Sequence, residues 1–486
     1  MTTLRAIAGY LPGLAGADLQ WQTLSFGSGD TRLEVSAPVL TDDQMTALSR
    51  RVKQASRLHL KTMTVSQIIA VIDAAIARLL DPSDPYRREA ERLLPIVTGY
   101  DSEMVRLGLT SLFQTFRAPQ LQRFVAEDFG NPKVLDEFQP VPKGGAAKAF
   151  GPDLLVHLWA GNVPALPLWS LVCGLLVKAG NVGKLPTAEP LFAGLFARLL
   201  AEVHPPWADC MAVVWWKGGD EQRAASLYAE AETVLAYGGN ASLDAVRRQL
   251  PVTTRFLPYG HKLGFGLIGT AALDALRAAA TARLAAWDVM RYDQQGCYSP
   301  HVFYVERGGK VSPHDFAHYL GSELANLQQR FPRRALELED AAAVAGWRQS
   351  KELRSLSDGH DALIGHDAAP WGVAYADTLQ AFAPTILNRT VQVVAVEALE
   401  DVVLLVAAHR ALLQTVGLAV APAELFRLSE LFGAAGVTRI CAIGSMTSPE
   451  AGWHHDGRFN LLDLVRMVEI EQSAELAADK LASYAH

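Results

Sequence analysis

The chain has 486 residues, 50% of them apolar, and carries 44 Lys and Arg against 51 Asp and Glu, a formal net charge of -7. One hydrophobic core rarely organises so long a chain, so two or more lobes are expected. An acidic balance without a Lys/Arg-rich run excludes the basic field that nucleic-acid binding needs and leaves small molecules as the expected partners.

The start, MTTLRAIAGYLPGLAGADLQW, has no basic segment leading into an apolar run, and the four cysteines are scattered, so a reducing cytoplasm is expected. Residues 1–140 read as a largely helical region that packs on the lobe after it. Apolar residues recur there at helical spacing from 41 to about 129, in SQIIAVIDAAIARLL and EMVRLGLTSLFQTF, with Pro82 and Pro85 as punctuation. The segment PVPKGGAAKAFGP reads as a connection.

Residues 141–262 then alternate strands and helices, the signature of a parallel sheet and of a doubly wound nucleotide-binding lobe. LLVHLW is a buried strand, 165–179 a helix closed by Gly180, and VGKLP the next strand; Pro190 opens another helix. MAVVWW, a helix over 221–231 and the strand TVLAY follow, the last running into Gly238-Gly239-Asn240 and a further helix. No G-x-G-x-x-G is present, so the succession of units carries the assignment. The run 154–177 has no charged side chain over a length that could cross a bilayer. Gly161-Asn162-Val163-Pro164 and Pro167 break it, so a buried strand, a turn and a buried helix are expected instead of a membrane span. Residues 263–440 are expected to form an α/β catalytic lobe, and 441–486 a C-terminal segment whose LVRMVEIE is a candidate oligomerisation strand.

Within the catalytic lobe, DQQGCYSPHVFYVE places Cys297 behind Gly296 and ahead of the strand HVFYV. A thiol there is a candidate nucleophile, and Gly296 permits close approach of backbone and substrate. The bland alternative, a buried structural thiol, is the expectation for Cys173, Cys210 and Cys441. Asn162, in the loop after the first strand of the nucleotide lobe, is either a helix cap or a donor to a developing oxyanion. In WHHDG, residues 453–457, adjacent histidines point in different directions, so no metal site is expected.

Several blocks together carry a resemblance: RREAERLLPIVTGYDSEMVRLGL, WAGNVPALPLWSLVCGLLVKAGNVGKL, AYGGNASLDAVR, QQGCYSPHVFYVE, LNRTVQVVAVEALEDV and TRICAIGSMTSPEAGWHHDGRFNLLDLVRMVEIE. In this order they resemble the acyl-CoA reductases of the bioluminescence (LuxC) type, a branch of the aldehyde dehydrogenase superfamily. The resemblance implies an aldehyde dehydrogenase-like α/β fold and reduction of a fatty acyl thioester to an aldehyde through a thioester on Cys297. The cofactor it implies is NADPH, with NADH as the alternative. It places Asn162 at the oxyanion, Lys184 at the adenosine ribose or its 2′-phosphate, and Gly238 and Gly239 under the nicotinamide ribose and pyrophosphate. Acyl-CoA or another acyl thioester, further copies of the chain and an acyl-donating enzyme are the implied partners.

The sequence departs from the wider superfamily at two motifs. E-L-G-G-K, whose Glu activates water, becomes Pro258-Tyr259-Gly260-His261-Lys262, and His261 or Glu306 is a candidate replacement. E-I-F-G-P becomes Leu387-Asn388-Arg389-Thr390-Val391, which leaves Asn388 as the candidate to hold the nicotinamide ribose. Two other chemistries stay open: oxidation of an aldehyde with NAD(P), and non-redox acyl transfer by Cys297 with His261 or His301.

Overall fold

The computed structural model describes residues 2–27 and 31–483. Its first element is a small sheet that the sequence did not announce: β1 (Thr2–Ile7) runs parallel to β3 (Thr31–Val39), and β2 (Gln20–Phe26) runs antiparallel to β3. Leu33, Val35 and Ala37 alternate into the core at 0% exposure while Arg32, Glu34 and Ser36 between them are more exposed, the period of a half-buried strand. The helices follow as α1 (Asp42–Ala55), α2 (Val65–Leu80), α3 (Pro85–Thr98), α4 (Ser102–Gln114) and α5 (Ala118–Phe129). Thr41 with Gln44, and Thr64 with Gln67, form capping boxes that start α1 and α2. Asp84 and Asp101 cap α3 and α4, and Gly99 ends α3 in the left-handed conformation.

The connection after α5 is not a loop. It holds β4 (Gln139–Pro140) and β5 (Ala146–Phe150), and β5 pairs antiparallel with β4 and with a strand near the end of the chain.

The first α/β lobe is built from β6 (Leu154–Leu158), α6 (Pro167–Leu176), β7 (Gly180–Lys184), α7 (Phe192–Val203), β8 (Met211–Val214), α8 (Glu221–Glu230), β9 (Thr233–Tyr237), α9 (Asn240–Gln249) and β10 (Arg255–Tyr259). Its five strands are all parallel, in the order β10-β9-β6-β7-β8. Continuous apolar strands such as LLVHL are buried along their whole length because helices cover both faces. Gly180 does not close α6, as expected from the sequence, but opens β7. Lys178 takes the left-handed position (φ 63), and a Cβ on Gly180 would lie 2.9 Å from the carbonyl oxygens of Asp153 and Val52. Glycine stands there because α1 packs against the strand. No single helix among the described residues is long and apolar enough to cross a membrane, and the uncharged run 154–177 resolves into β6, a turn and α6.

The second lobe comprises β11 (Leu263–Ile268), α10 (Ala275–Met290), β12 (Pro300–Glu306), α11 (Pro313–Arg330), α12 (Leu338–Asp358), β13 (Ala362–Ile364), β14 (Gly372–Ala376), β15 (Thr390–Val396), α13 (Val402–Val406), β16 (Leu413–Ala419), α14 (Pro422–Ala434) and β17 (Arg439–Ala442). The sheet order is β13-β14-β15-β12-β11-β16-β17, parallel except for the edge strand β13. β12, which begins three residues after Cys297, lies at its centre. The candidate oligomerisation strand, β18 (Arg466–Ile470), pairs with β5 of its own chain and leaves its other edge unpaired among the described residues; α15 (Gln472–Asp479) follows it.

Candidate active site

Cys297 sits on a loop between α10 and β12 whose backbone is unusual. Tyr292, Asp293 and Gln294 have φ of 50, 50 and 64°, a left-handed run that side chains with a Cβ rarely adopt. A second such run, Leu387, Asn388 and Arg389 with φ of 63, 56 and 64°, lies against it. The two turns clasp each other. Asp293, 1% exposed, accepts from Arg389 Nε at 2.6 Å and from the backbone N–H of Arg334 at 3.2 Å, and its own carbonyl accepts from the Asn388 N–H at 2.9 Å. Gln294, fully buried, donates from Nε2 to the carbonyls of Pro300 and Thr390 at 2.8 and 3.0 Å. Left-handed residues persist only where their surroundings over-determine them, and this network does so for both runs, the first of which leads into Cys297.

The clasp also accounts for Asn388. It is 2% exposed, its Oδ1 accepts from Gln295 Nε2 at 3.1 Å and Arg334 Nη2 at 3.2 Å, and its Nδ2 donates to the Ile386 carbonyl at 3.3 Å. Its polar atoms brace the cysteine loop, and Leu387 is the residue of this turn that lines the cleft.

Two cavities reach Cys297, and a third adjoins one of them. A cleft of about 310 Å³ is lined by Asn162, Gly238, Gly239, His261, Lys262, His301 and Leu387 as well as by Cys297. An apolar cavity of about 120 Å³, lined by Leu112, Val163, Pro164, Leu166, Trp169 and Trp453, reaches the same cysteine from the other side. A third, of about 420 Å³, continues the cleft along the strand ends past Gly238 to Lys184 and Trp216. Among the described residues, neither cavity that reaches Cys297 is lined by an Asp or a Glu. Glu306 lies at the far end of β12, where its Oε2 accepts from the Thr270 N–H at 3.0 Å. It therefore does not stand in for the missing carboxylate at Pro258.

Burial pushes the Cys297 thiol up to about 11, with Gln414 pulling it down by a hydrogen bond and the Asp456 charge pushing it further up. The resting sulfur is therefore protonated at neutral pH. Gln414 Nε2 lies 3.5 Å from Cys297 Sγ and 2.6 Å from Asp456 Oδ1. Asn162 is exposed to the cleft, and its Nδ2 donates to the Gln295 carbonyl at 2.6 Å, two residues from Cys297. Its own carbonyl accepts from the buried Tyr100 hydroxyl at 2.9 Å, which ties the β6–α6 loop to the core. His301 is buried and held near 4 by desolvation; its Nδ1 accepts the Thr385 N–H at 3.1 Å, so the neutral ring carries its proton on Nε2.

At the other end of the cleft, the Lys184 ammonium lies 5.7 Å from the Trp216 ring, burial lowers its pKa, and no carboxylate among the described residues pairs with it. Gly239 is the N-cap of α9 and provides no side-chain cap, so the first N–H groups of that helix stay open to a ligand. A Cβ at Gly239 would meet nothing within 4 Å, so the empty space over it is room for a guest molecule.

Residues 453–457, without a role in the sequence, close the site from behind. His455 stacks on Tyr259 at 4.5 Å and lines both cavities at Cys297, whereas His454 turns away to Phe459 at 4.9 Å. Asp128 of α5 pins this segment by accepting the Leu461 and Leu462 N–H groups at 2.5 and 3.1 Å. Asp288, which burial raises to about 7, accepts the N–H groups of Gly444 and Met446 at 2.5 and 3.1 Å and so fixes the loop that bounds the apolar cavity. Gln414, His455 and Asp456 were not singled out as site residues, because each lies far from Cys297 in sequence with no spacing to mark it.

The sequence matches the family model described as acyl-CoA reductase (LuxC) over residues 60–467. It is 26% identical over 474 residues to a long-chain acyl-protein thioester reductase of Aliivibrio fischeri, covering 93% of each chain. A long-chain acyl-protein thioester reductase of Vibrio harveyi is 26% identical over 423 residues, covering 85% of this chain and 84% of the relative. Among solved structures, methylmalonate-semialdehyde dehydrogenase from Oceanimonas doudoroffii superposes with a TM-score of 0.72 at 14% identity, over 96% of this chain and 98% of the other. Aldehyde dehydrogenase 21 from Physcomitrella patens gives 0.71 at 13% identity, over 97% and 99%. The fold is thus that of the aldehyde dehydrogenases, and the chain belongs to the acyl-CoA reductase (LuxC) family.

Proposed function

We propose that the protein reduces a fatty acyl thioester to an aldehyde with NADPH, through a thioester on Cys297. The observation that carries this reading is the place of Cys297, between an apolar cavity and a glycine-edged cleft, with no carboxylate lining either. The open N-terminus of α9, the empty space over Gly239 and Lys184, which pairs with no carboxylate among the described residues, suit a nicotinamide nucleotide, whose pyrophosphate needs N–H donors and whose 2′-phosphate needs a cation.

The Cys297 sulfur attacks the acyl carbonyl, and its proton ends on the departing thiol, so that R–CO–S–X and Cys–SH give R–CO–S–Cys and HS–X. Asn162 Nδ2, now donating to the Gln295 carbonyl, is placed to donate to the oxyanion. The nucleotide supplies hydride to the acyl carbon when bound. Gln414 faces the sulfur as the thiohemiacetal collapses, aldehyde leaves and Cys297 takes a proton from solvent. No carboxylate lines the cleft to activate water against the thioester, which disfavours the oxidative alternative; of the two candidate replacements only His261 lines it. A non-redox acyl transfer would need no nucleotide cleft. The acyl donor is coenzyme A or a protein thiol.

An assay of acyl-CoA esters with NADPH, following aldehyde release, tests the proposal. No aldehyde from any acyl thioester with either reduced nucleotide would overturn it. Asn162→Ala is expected to lower turnover by ~10²-fold or more with little change in melting temperature; wild-type turnover would make Asn162 a structural tether. Lys184→Met is expected to weaken NADPH binding about tenfold and NADH binding much less, as loss of one charge-assisted contact does. Titration calorimetry with both nucleotides separates the two effects.

A further inference from the structure

We propose that Asp456 and Gln414 are positioning residues for Cys297: Asp456 holds the Gln414 amide with its N–H toward the sulfur and sets a negative charge behind it, and together they govern the reactivity of the thiol. The proposal rests on Cys297 being the nucleophile.

Gln414, at the start of β16, is 0% exposed, so its amide must find partners within the protein. One end accepts from the Thr415 hydroxyl at 3.2 Å. The other faces Asp456 Oδ1 at 2.6 Å and Cys297 Sγ at 3.5 Å. A carboxylate only accepts, so the atom facing Asp456 has to be Nε2, and the amide has two N–H groups, one for each neighbour. Thr415 cannot make that choice, because a hydroxyl donates or accepts. Asp456 therefore decides which way round the amide sits; without it, a flip would present Oε1 to the sulfur and turn a donor into an acceptor.

The carboxylate is built into place. Asp456 has φ 56°, is followed by Gly457 at φ 73°, and its side chain is 8% exposed. The charged and titratable groups around it are Lys262 Nζ at 4.0 Å, the His455 ring at 3.8 Å, which burial holds near 4 and hence neutral, and the buried phenols of Tyr237 and Tyr259. Cys297 itself faces Arg439 from β17 and the buried phenols of Tyr237 and Tyr298; His261 and His301 line the same cleft. Asp456 and Gln414 thus act in opposite senses on one atom. The N–H stabilises the sulfur anion whenever it forms, at attack and at release of the aldehyde, and the carboxylate adds to burial in favouring the resting thiol.

The pH dependence of Cys297 alkylation by iodoacetamide, read by peptide mass mapping, tests this without acyl donor or nucleotide. Asp456→Asn keeps an acceptor and removes the charge, and is expected to move the midpoint down by about one pH unit. Gln414→Met, near-isosteric and without the donor, is expected to move it up. Lys262→Met unmasks the carboxylate and is also expected to move it up, which keeps the test intact if Asp456→Asn does not fold. Unmoved midpoints in folded variants, or shifts of the same sign in Asp456→Asn and Gln414→Met, would overturn the proposal. Aldehyde formation by an enzyme whose midpoints do not move refutes this inference alone, whereas moving midpoints in a chain that forms no aldehyde refute the reductase reading alone.

Discussion

Cys297→Ala is expected to abolish acyl transfer to the protein, to lower aldehyde formation by about 10⁴-fold or more, and to leave nucleotide binding unchanged. The proposed nucleophile and the proposed nucleotide contacts are separate: Lys184 ends β7 and Gly239 caps α9, whereas Cys297 precedes β12 in the other lobe. No other cysteine can substitute. Cys173 is 2% exposed within α6 and its thiol is raised well above its usual range, and Cys210 is fully buried and raised to about 12. Cys441, raised to about 11 like Cys297, lies on the edge strand β17 and lines none of the three cavities. Intact-mass measurement after incubation with acyl-CoA and no nucleotide is the check. An adduct that survives in Cys297→Ala, or that maps to another cysteine in the wild type, would remove Cys297 from its role.

Asp293→Ala is expected to destabilise the protein by about 3–5 kcal/mol, because it strands the Arg389 guanidinium in the interior. Both partners are 1% exposed and 2.6 Å apart. Activity should fall further than the loss of folded protein explains, since the same carboxylate braces the left-handed run before Cys297. Replacing both Asp293 and Arg389 by apolar residues is expected to cost less than either single change, as for buried pairs whose charges are removed together. Denaturant unfolding of the singles and the double measures the coupling. A loss under about 1 kcal/mol for Asp293→Ala would mean that the clasp does not depend on the ion pair.

What could be read from the sequence follows from what is local. LLVHLW and TVLAY were legible because a strand buried on both faces is a short apolar run, and so was the strand HVFYV that follows Cys297. The sheet of β1, β2 and β3 was not, nor were β4 and β5, since most of the β5 pairing is with β18 at the other end of the chain. Asn388 was assigned to a ligand because its neighbours in sequence replace a superfamily motif; its actual partners, Gln295 and Arg334, come from other segments. Gln414 and Asp456 are 42 residues apart, and Gln414 is 117 from Cys297, so no spacing rule connects them.

The clasp of left-handed turns also bears on the order in which the chain acquires its chemistry. Asp293 precedes Arg389 by 96 residues, and β15, which follows Arg389 directly, pairs with β12 at the centre of the sheet. A ribosome therefore releases the cysteine loop well before the segment that holds it, and until β15 docks, Tyr292, Asp293 and Gln294 have no reason to stay left-handed. On the proposed reading, the acyl-accepting site is complete only once β15 has docked on β12, so a half-folded chain is expected to take up no acyl group.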